Sequence, residues 1–210
     1  MEFNGNNTFC ISLSSMPARW LRMEERFQIF DMECERWIAS VPCDVSDHFA
    51  SYLNWGQKAC GQSHINVWRT VLERGLEYAL ILEDDAMFHV DWVERLRELD
   101  LNSDSEWDAV FLNASEPMEP QNKWSVCSEQ YLTGAYIISR RGIEWILSNF
   151  AGEFASSDWM TSRLQTRGHS YCYFPWLVIQ EGFESTIGSG FEADHQKVVR
   201  CLGSQISKYR

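Results

Sequence analysis

The stretch ALILEDDAMF, residues 79–88, constrains the fold more than any other part of this chain. Four apolar residues, Ala79 to Leu82, run straight into Glu83, Asp84 and Asp85, and apolar residues resume at Ala86. A short continuous apolar run suits a buried strand of an α/β sheet covered on both faces. Three adjacent carboxylates repel one another. The strand therefore ends either in a solvated acidic turn or at a site where a cation offsets that repulsion.

The remaining sequence gives this strand its context. TFCISL reads as a short buried strand. SSMPARWLRMEERFQIF reads as a helix, with Ser14 or Ser15 as its cap, Pro17 in its first turn, and Trp20, Met23, Phe27 and Phe30 forming an apolar stripe. RWIASV is a second strand. CGQSHINVWRTVLERGL, residues 60–76, is a helix with His64, Ile65, Trp68, Val71, Leu72 and Leu76 on one face. YALIL follows as a strand, VDWVERLREL as a helix, and WDAVFL and TGAYIIS as strands. RRGIEWILSNF and SSDWMTSRLQTRG read as helices, and HSYCYF as a strand. This alternation predicts an α/β fold, organised as one domain over residues 1–210. Ligands of such sheets bind beyond the carboxyl ends of the strands, which is where the acidic triplet falls.

Composition narrows the partners. A net charge of -12 excludes a general nucleic-acid binder, which needs a basic face. No apolar run approaches the ~18 residues of a membrane-spanning helix. The opening MEFNGNNTFCISL lacks the basic region and apolar core of a signal peptide. Seven cysteines with no CxxC pair read as reduced thiols, and the expected location is cytoplasmic. The ending SQISKYR carries no closing signal, so the domain is consistent with the N-terminal part of a longer protein.

Hard divalent cations such as Mn²⁺ and Mg²⁺ take oxygen ligands, often one or two carboxylates plus a ligand phosphate. Alternate residues of an extended segment point the same way. Glu83 and Asp85 are therefore expected to face one ligand, with Asp84 turned aside.

Several segments, in chain order, resemble family 25 of the glycosyltransferases, which includes lipooligosaccharide and collagen-modifying enzymes. ALILEDDA resembles the family's acidic signature, CISLSSMPARW its opening strand and Pro-Arg turn, and CGQSHINVW its Cys-x-x-Ser-His helix. TGAYIISRRG, SSDWM, and PWLVIQ followed by STI resemble its later segments, so the likeness covers residues 8–187. The resemblance implies a GT-A fold: a mixed, mostly parallel central sheet flanked by helices. It also implies a UDP-sugar donor, a glycan or glycoprotein acceptor such as a surface or capsid glycan, and a Mn²⁺ or Mg²⁺ cofactor. There are two departures. Ser12, Ser14, Ser15 and Met16 stand where the family usually carries Asn, Asp and paired Arg, and Glu83 replaces the usual first Asp.

On this resemblance Asp85 is the metal ligand, with His195 completing the shell from a C-terminal loop; a surface histidine is the alternative for His195. Donor contacts fall to Ser12, Leu13, Arg19, Ser63, His64, Glu83, Asp84, Gly134 and Ala135. Arg19 is a phosphate neighbour or an exposed helix residue. His64 is a donor-site group or a satisfied core histidine. Gly134 and Ala135 admit substrate closely or merely pack. Asp158 is the general base of an inverting transfer or a helix cap, with Glu181 in reserve. Trp159 or Trp176 is a sugar-stacking candidate. The expected activity is metal-dependent inverting sugar transfer. A catalytically silent binding module of the same fold and a metal-dependent phosphohydrolase are the competing readings.

Overall fold

The computed structural model describes residues 1–113, 115–117, 122–182 and 191–210, and for 191–195 the backbone alone. The strands are β1 (Thr8–Ser12), β2 (Glu35–Ile38), β3 (Tyr78–Glu83), β4 (Ala86–Phe88), β5 (Ala109–Phe111), β6 (Lys123–Val126), β7 (Ala135–Ser139), β8 (Ser170–Phe174) and β9 (Val178–Gln180). The helices are α1 (Pro17–Ile29), α2 (Trp55–Glu73), α3 (Trp92–Arg97), α4 (Arg140–Asn149), α5 (Ser157–Gln165) and α6 (Phe191–Leu202).

The central sheet has seven strands in the order β2-β1-β3-β7-β5-β8-β6. β1 pairs in parallel with β2 and β3, and β5 in parallel with β8. β7 lies antiparallel between β3 and β5, and β6 is antiparallel to β8. The strands β2, β1, β3, β5 and β8 thus share one direction, and the sheet is mixed but mostly parallel. Its period of two splits the core. Ala79 and Ile81 of β3 join Phe9, Ile65, Trp68 and Ile143 on the face covered by α2, α4 and α5. Leu80 and Leu82 join Cys10, Met23, Phe27 and Trp92 on the face covered by α1 and α3. Both faces are therefore buried, which is why the YALIL run is apolar throughout.

Local signals explain most boundaries. Pro17 opens α1, but the cap position is Met16 and makes no side-chain bond, so neither Ser14 nor Ser15 caps it. α2 begins five residues before the expected start, because Asn54 and Gln57 form a capping box that accepts and donates across the first turn. Arg74 then caps its C-terminus, followed by Gly75 at φ +70°. The strands β4, β6 and β9 were not read from the sequence.

Strand order reverses between β1 and β3: the chain leaves β1 toward β2 on one side and returns to β3 on the other. That reversal opens a crevice at the carboxyl ends of β1 and β3. β4 and β9 form a separate two-stranded ribbon, pairing Ala86 with Gln180, just past the end of β3.

Candidate active site

The acidic triplet sits at the β1/β3 crevice, and its carboxylates separate as an extended segment dictates. The Gln180 Nε2 group donates to Glu83 Oε2 at 3.4 Å and to Asp85 Oδ1 and Oδ2 at 3.4 and 3.5 Å. Glu83 and Asp85 therefore face one point. Asp84 turns the other way, accepting from the Leu13 backbone N–H at 3.3 Å and from Arg19 Nη1 at 3.2 Å. Burial raises the Asp84 carboxyl above its ordinary range, with Arg19 opposing. Burial and then the Glu83 charge push Asp85 up to about 7, with a smaller opposing pull from Arg19.

A buried relay sets Glu83. Trp68 Nε1 donates to Tyr136 Oη at 2.9 Å, and Tyr136 Oη lies 2.8 Å from His64 Nδ1. Burial holds the Tyr136 phenol well above its ordinary value, so it keeps its one proton. Giving that proton to Nδ1 leaves the His64 hydrogen on Nε2, 3.4 Å from Glu83 Oε1. Thr133 Oγ1 donates to the same oxygen at 3.2 Å and lies 3.0 Å from Ser157 Oγ, the first residue of α5. This polar chain links the start of α5 to the triplet.

The next residue is Asp158. It is not the N-cap, which is Ser156. Its Oδ1 accepts from the Trp159 backbone N–H at 2.8 Å, and Oδ2 accepts no hydrogen bond among the described residues. The carboxylate is half-buried and has one oxygen available to a ligand.

The other sequence candidates separate. His64 is fully buried and acts on Glu83 from the core. Ser63 is buried too, donating to the Ala59 carbonyl and accepting from the Ser40 N–H, so it ties α2 to the segment after β2. Ser12 accepts from Arg36 Nη2 at 3.3 Å. Arg19 is neither exposed nor open to a phosphate as it stands, since it pairs with Asp84. The space beside Gly134 belongs to the protein itself: a Cβ there would lie 2.8 Å from Asn113 Oδ1 and 2.9 Å from Gln180 Cγ. Ala135 is buried in register with Leu82. Glu181 accepts from Arg26 at 2.6 Å and has Arg22 at 3.4 Å, both at Oε2, so the reserve base is engaged in ion pairs with α1. Trp176 is buried beside Phe174 and Ile179, so it is core and offers no sugar-stacking face. Trp159 is exposed. His195 falls within α6 and not on a loop, and its side chain, like the STI segment at 185–187, lies outside the described residues.

Sequence reasoning missed Gln180, Thr133, Ser157 and Tyr136. Each sits in a segment, TGAYIIS, SSDWM or PWLVIQ, that resembles the family, but none was singled out as a site residue. Nothing local distinguishes Gln180, which lies 97 residues from Glu83.

The profile of Glycosyltransferase family 25 (LPS biosynthesis protein) matches residues 6–160. The chain belongs to glycosyltransferase family 25. Among family relatives, Procollagen galactosyltransferase 1-B of Xenopus laevis is 35% identical over 125 residues, which is 54% of this chain and 20% of that protein. The chain thus spans about a fifth of the length of that relative. The lacto-N-neotetraose biosynthesis glycosyltransferase LgtE of Neisseria meningitidis is 28% identical over 206 residues, covering 81% of this chain and 72% of its own. A mouse protein named inactive glycosyltransferase 25 family member 3 is 26% identical over 69% of this chain and 29% of its own. A solved glycosyltransferase involved in the glycosylation of the major capsid of PBCV-1 aligns over 92% of this chain and 99% of its own, at 12% identity and a TM-score of 0.44. That likeness is too distant to bear on the acceptor. No helix of the described residues is long and apolar enough to cross a membrane.

Proposed function

We propose that this family 25 domain is a metal-dependent inverting glycosyltransferase that moves a sugar from a UDP-sugar to a glycan acceptor. The observation that carries the reading is the convergence of Glu83 and Asp85 on one point at the strand-order reversal, joined through Thr133 and Ser157 to the start of α5, where Asp158 stands. The donor set fits a hard cation. Two carboxylates meet there, and the buried Gln180 Oε1 has no hydrogen-bond partner among the described residues. Cys60, His64 and Glu83 present a softer set within 4.8 Å. Burial pushes the Cys60 thiol up, away from the thiolate a metal needs, so the oxygen set is the better match to Mn²⁺ or Mg²⁺.

When bound, a divalent cation supplies charge stabilisation for the departing diphosphate. Asp85 would hold it, with Glu83 and Gln180 beside it. Asp84 draws the Leu13 amide and Arg19 together at the rim of the crevice, ordering the turn after β1 where a nucleotide would lie. The available Asp158 oxygen accepts the proton of the acceptor hydroxyl as it attacks the anomeric carbon. A single base suffices for inversion, because the diphosphate leaves as an anion.

Membership alone does not guarantee turnover, since one relative is named inactive. The silent-module reading predicts UDP binding without transfer. Calorimetry of UDP with and without Mn²⁺ tests the site: wild type should show metal-dependent affinity that Asp85→Asn loses. Unchanged metal-dependent affinity in that variant overturns the assignment. UDP-sugar turnover with a glycan acceptor then separates enzyme from silent module.

A further inference from the structure

A cavity of about 1240 Å³ opens between the segment 1–4, the turn 30–33 after α1, helix α3 and the segment 99–102. Tyr78, the first residue of β3, lines it, whereas Glu83 ends the same strand. Cavity and crevice therefore lie at opposite ends of β3, about 17 Å apart along the strand.

The cavity wall is core left open. Trp92 and Leu96 of α3 are buried, but Phe3, Phe30, Leu99, Leu101 and Trp107 pack on the same layer only partly buried. The shortness of α3 accounts for this. Its six residues span about 9 Å, against about 20 Å for β3, so the layer of α1 and α3 stops short at the amino end of the strand. The rings of the wall also hold one another. Phe3 stands edge-on to Tyr78 with centroids 6.0 Å apart, and Tyr78 lies 6.4 Å from Trp107. The Tyr78 hydroxyl pins the segment 1–4, donating to the Glu2 carbonyl at 3.0 Å and accepting from the Glu2 N–H at 2.9 Å. A wall set in advance loses little freedom when a ligand arrives.

Four exposed carboxylates, Glu2, Asp31, Glu33 and Asp100, also line the cavity. None of the four takes part in an ion pair among the described residues. The cations in the lining are Arg97 and the Met1 amino group, so carboxylates outnumber them. Aromatic walls edged with carboxylates complement cations carried on apolar stems. Lys and Arg side chains beside Leu or aromatic residues have that chemistry. The volume exceeds the ~300–1,000 Å³ of ordinary small-ligand pockets, which favours a segment of several residues over a single amine. A second copy of this chain, itself at -12, would meet the carboxylates with like charge.

We infer that this cavity binds a short basic and apolar peptide segment of a partner protein, at the end of the sheet away from the acidic crevice. The inference does not depend on the transferase reading, and an occupant here leaves the crevice open.

The test selects a random dodecapeptide phage library on the full chain. Enriched sequences should combine Lys or Arg with Leu, Phe or Trp. One of them, made synthetically, should bind with a Kd of about 10 μM or tighter by calorimetry. The double variant Glu2→Lys, Glu33→Lys should bind it about tenfold more weakly, and so should Phe3→Ala. The double variant Glu144→Lys, Glu153→Lys alters net charge equally at exposed positions on and after α4, and should keep the affinity within about twofold. Four results overturn the inference: no enrichment, enrichment without basic residues, equal weakening by both double variants, or displacement of the peptide by UDP with Mn²⁺. Phenethylamine binding as tightly as the peptide would reduce the site to one for a small cation and overturn the peptide segment.

Discussion

Asp85, the proposed metal ligand, also bears on stability. Its carboxyl is raised from 3.8 to about 7 by burial and by Glu83. Without metal, the folded protein holds the Asp85 proton more tightly than the unfolded chain does. This group's contribution therefore falls as pH rises from about 4 to about 7. A cation that binds the carboxylate offsets that loss. Mn²⁺ should raise the thermal midpoint clearly near pH 8 and little near pH 5, and Asp85→Asn should abolish the difference. An equal metal-induced shift at both pH values would contradict the assignment. Asp158 makes a second residue-scale prediction. Asp158→Asn keeps the acceptor of the Trp159 N–H bond but removes the proposed base, so transfer should drop about 10²–10⁴-fold with UDP affinity intact. Near-normal turnover of a folded variant would reduce Asp158 to a helix-end residue.

At the scale of elements, the junction of β7 with α4 is closely packed. Ser139 caps α4, accepting from the Gly142 N–H at 3.0 Å, while its hydroxyl lies 2.9 and 3.1 Å from the Trp107 and Asp108 carbonyls. A Cβ at Gly142 would lie 2.5 Å from the Asp108 carbonyl oxygen, which the Ser139 N–H holds at 3.0 Å. Gly→Ala inside a helix ordinarily stabilises by about 1 kcal/mol. Here overpacking against a fixed carbonyl should reverse the sign, and Gly142→Ala should destabilise by about 1–3 kcal/mol in denaturant unfolding. A neutral or stabilised variant would show that the joint can move. The element pattern itself was largely legible: TFCISL, YALIL, TGAYIIS and HSYCYF are all strands, because β-branched and apolar runs between turn residues have few other uses. The short strands β4 and β9 were not legible. Each is three residues long, and their mutual pairing makes them strands.

For the whole molecule, the seven cysteines form a built-in probe of opening. Cys43 and Cys201 are exposed, and Cys10, Cys127 and Cys172 are buried. Under native conditions a thiol reagent should modify Cys43 and Cys201 fast. The three buried thiols should react only through opening of the core, and full titration after unfolding should find seven. Rapid native labelling of Cys10 would be incompatible with its place on β1, inside the sheet. The same burial explains the helix assignment to faces: Ala79 and Ile81 point to one layer and Leu80 and Leu82 to the other, and β3 lies within the sheet between β1 and β7.

By itself the sequence determined the alternation of strands and helices, the acidic end of β3 and the divergence of Asp84 from Glu83 and Asp85. Each depends on residues near one another in the chain, whose side-chain directions follow from the backbone period. Tertiary structure alone decided the rest. It paired Arg19 with Asp84 across 65 residues and brought Gln180 to Glu83 across 97. It closed the space beside Gly134 and engaged Glu181 with two arginines. It also stacked Tyr131 on Trp159. The physical reason is common to all of these. A side chain's partner across a sheet or crevice is set by strand order and register, and those follow from how the entire core packs, not from any local run of residues.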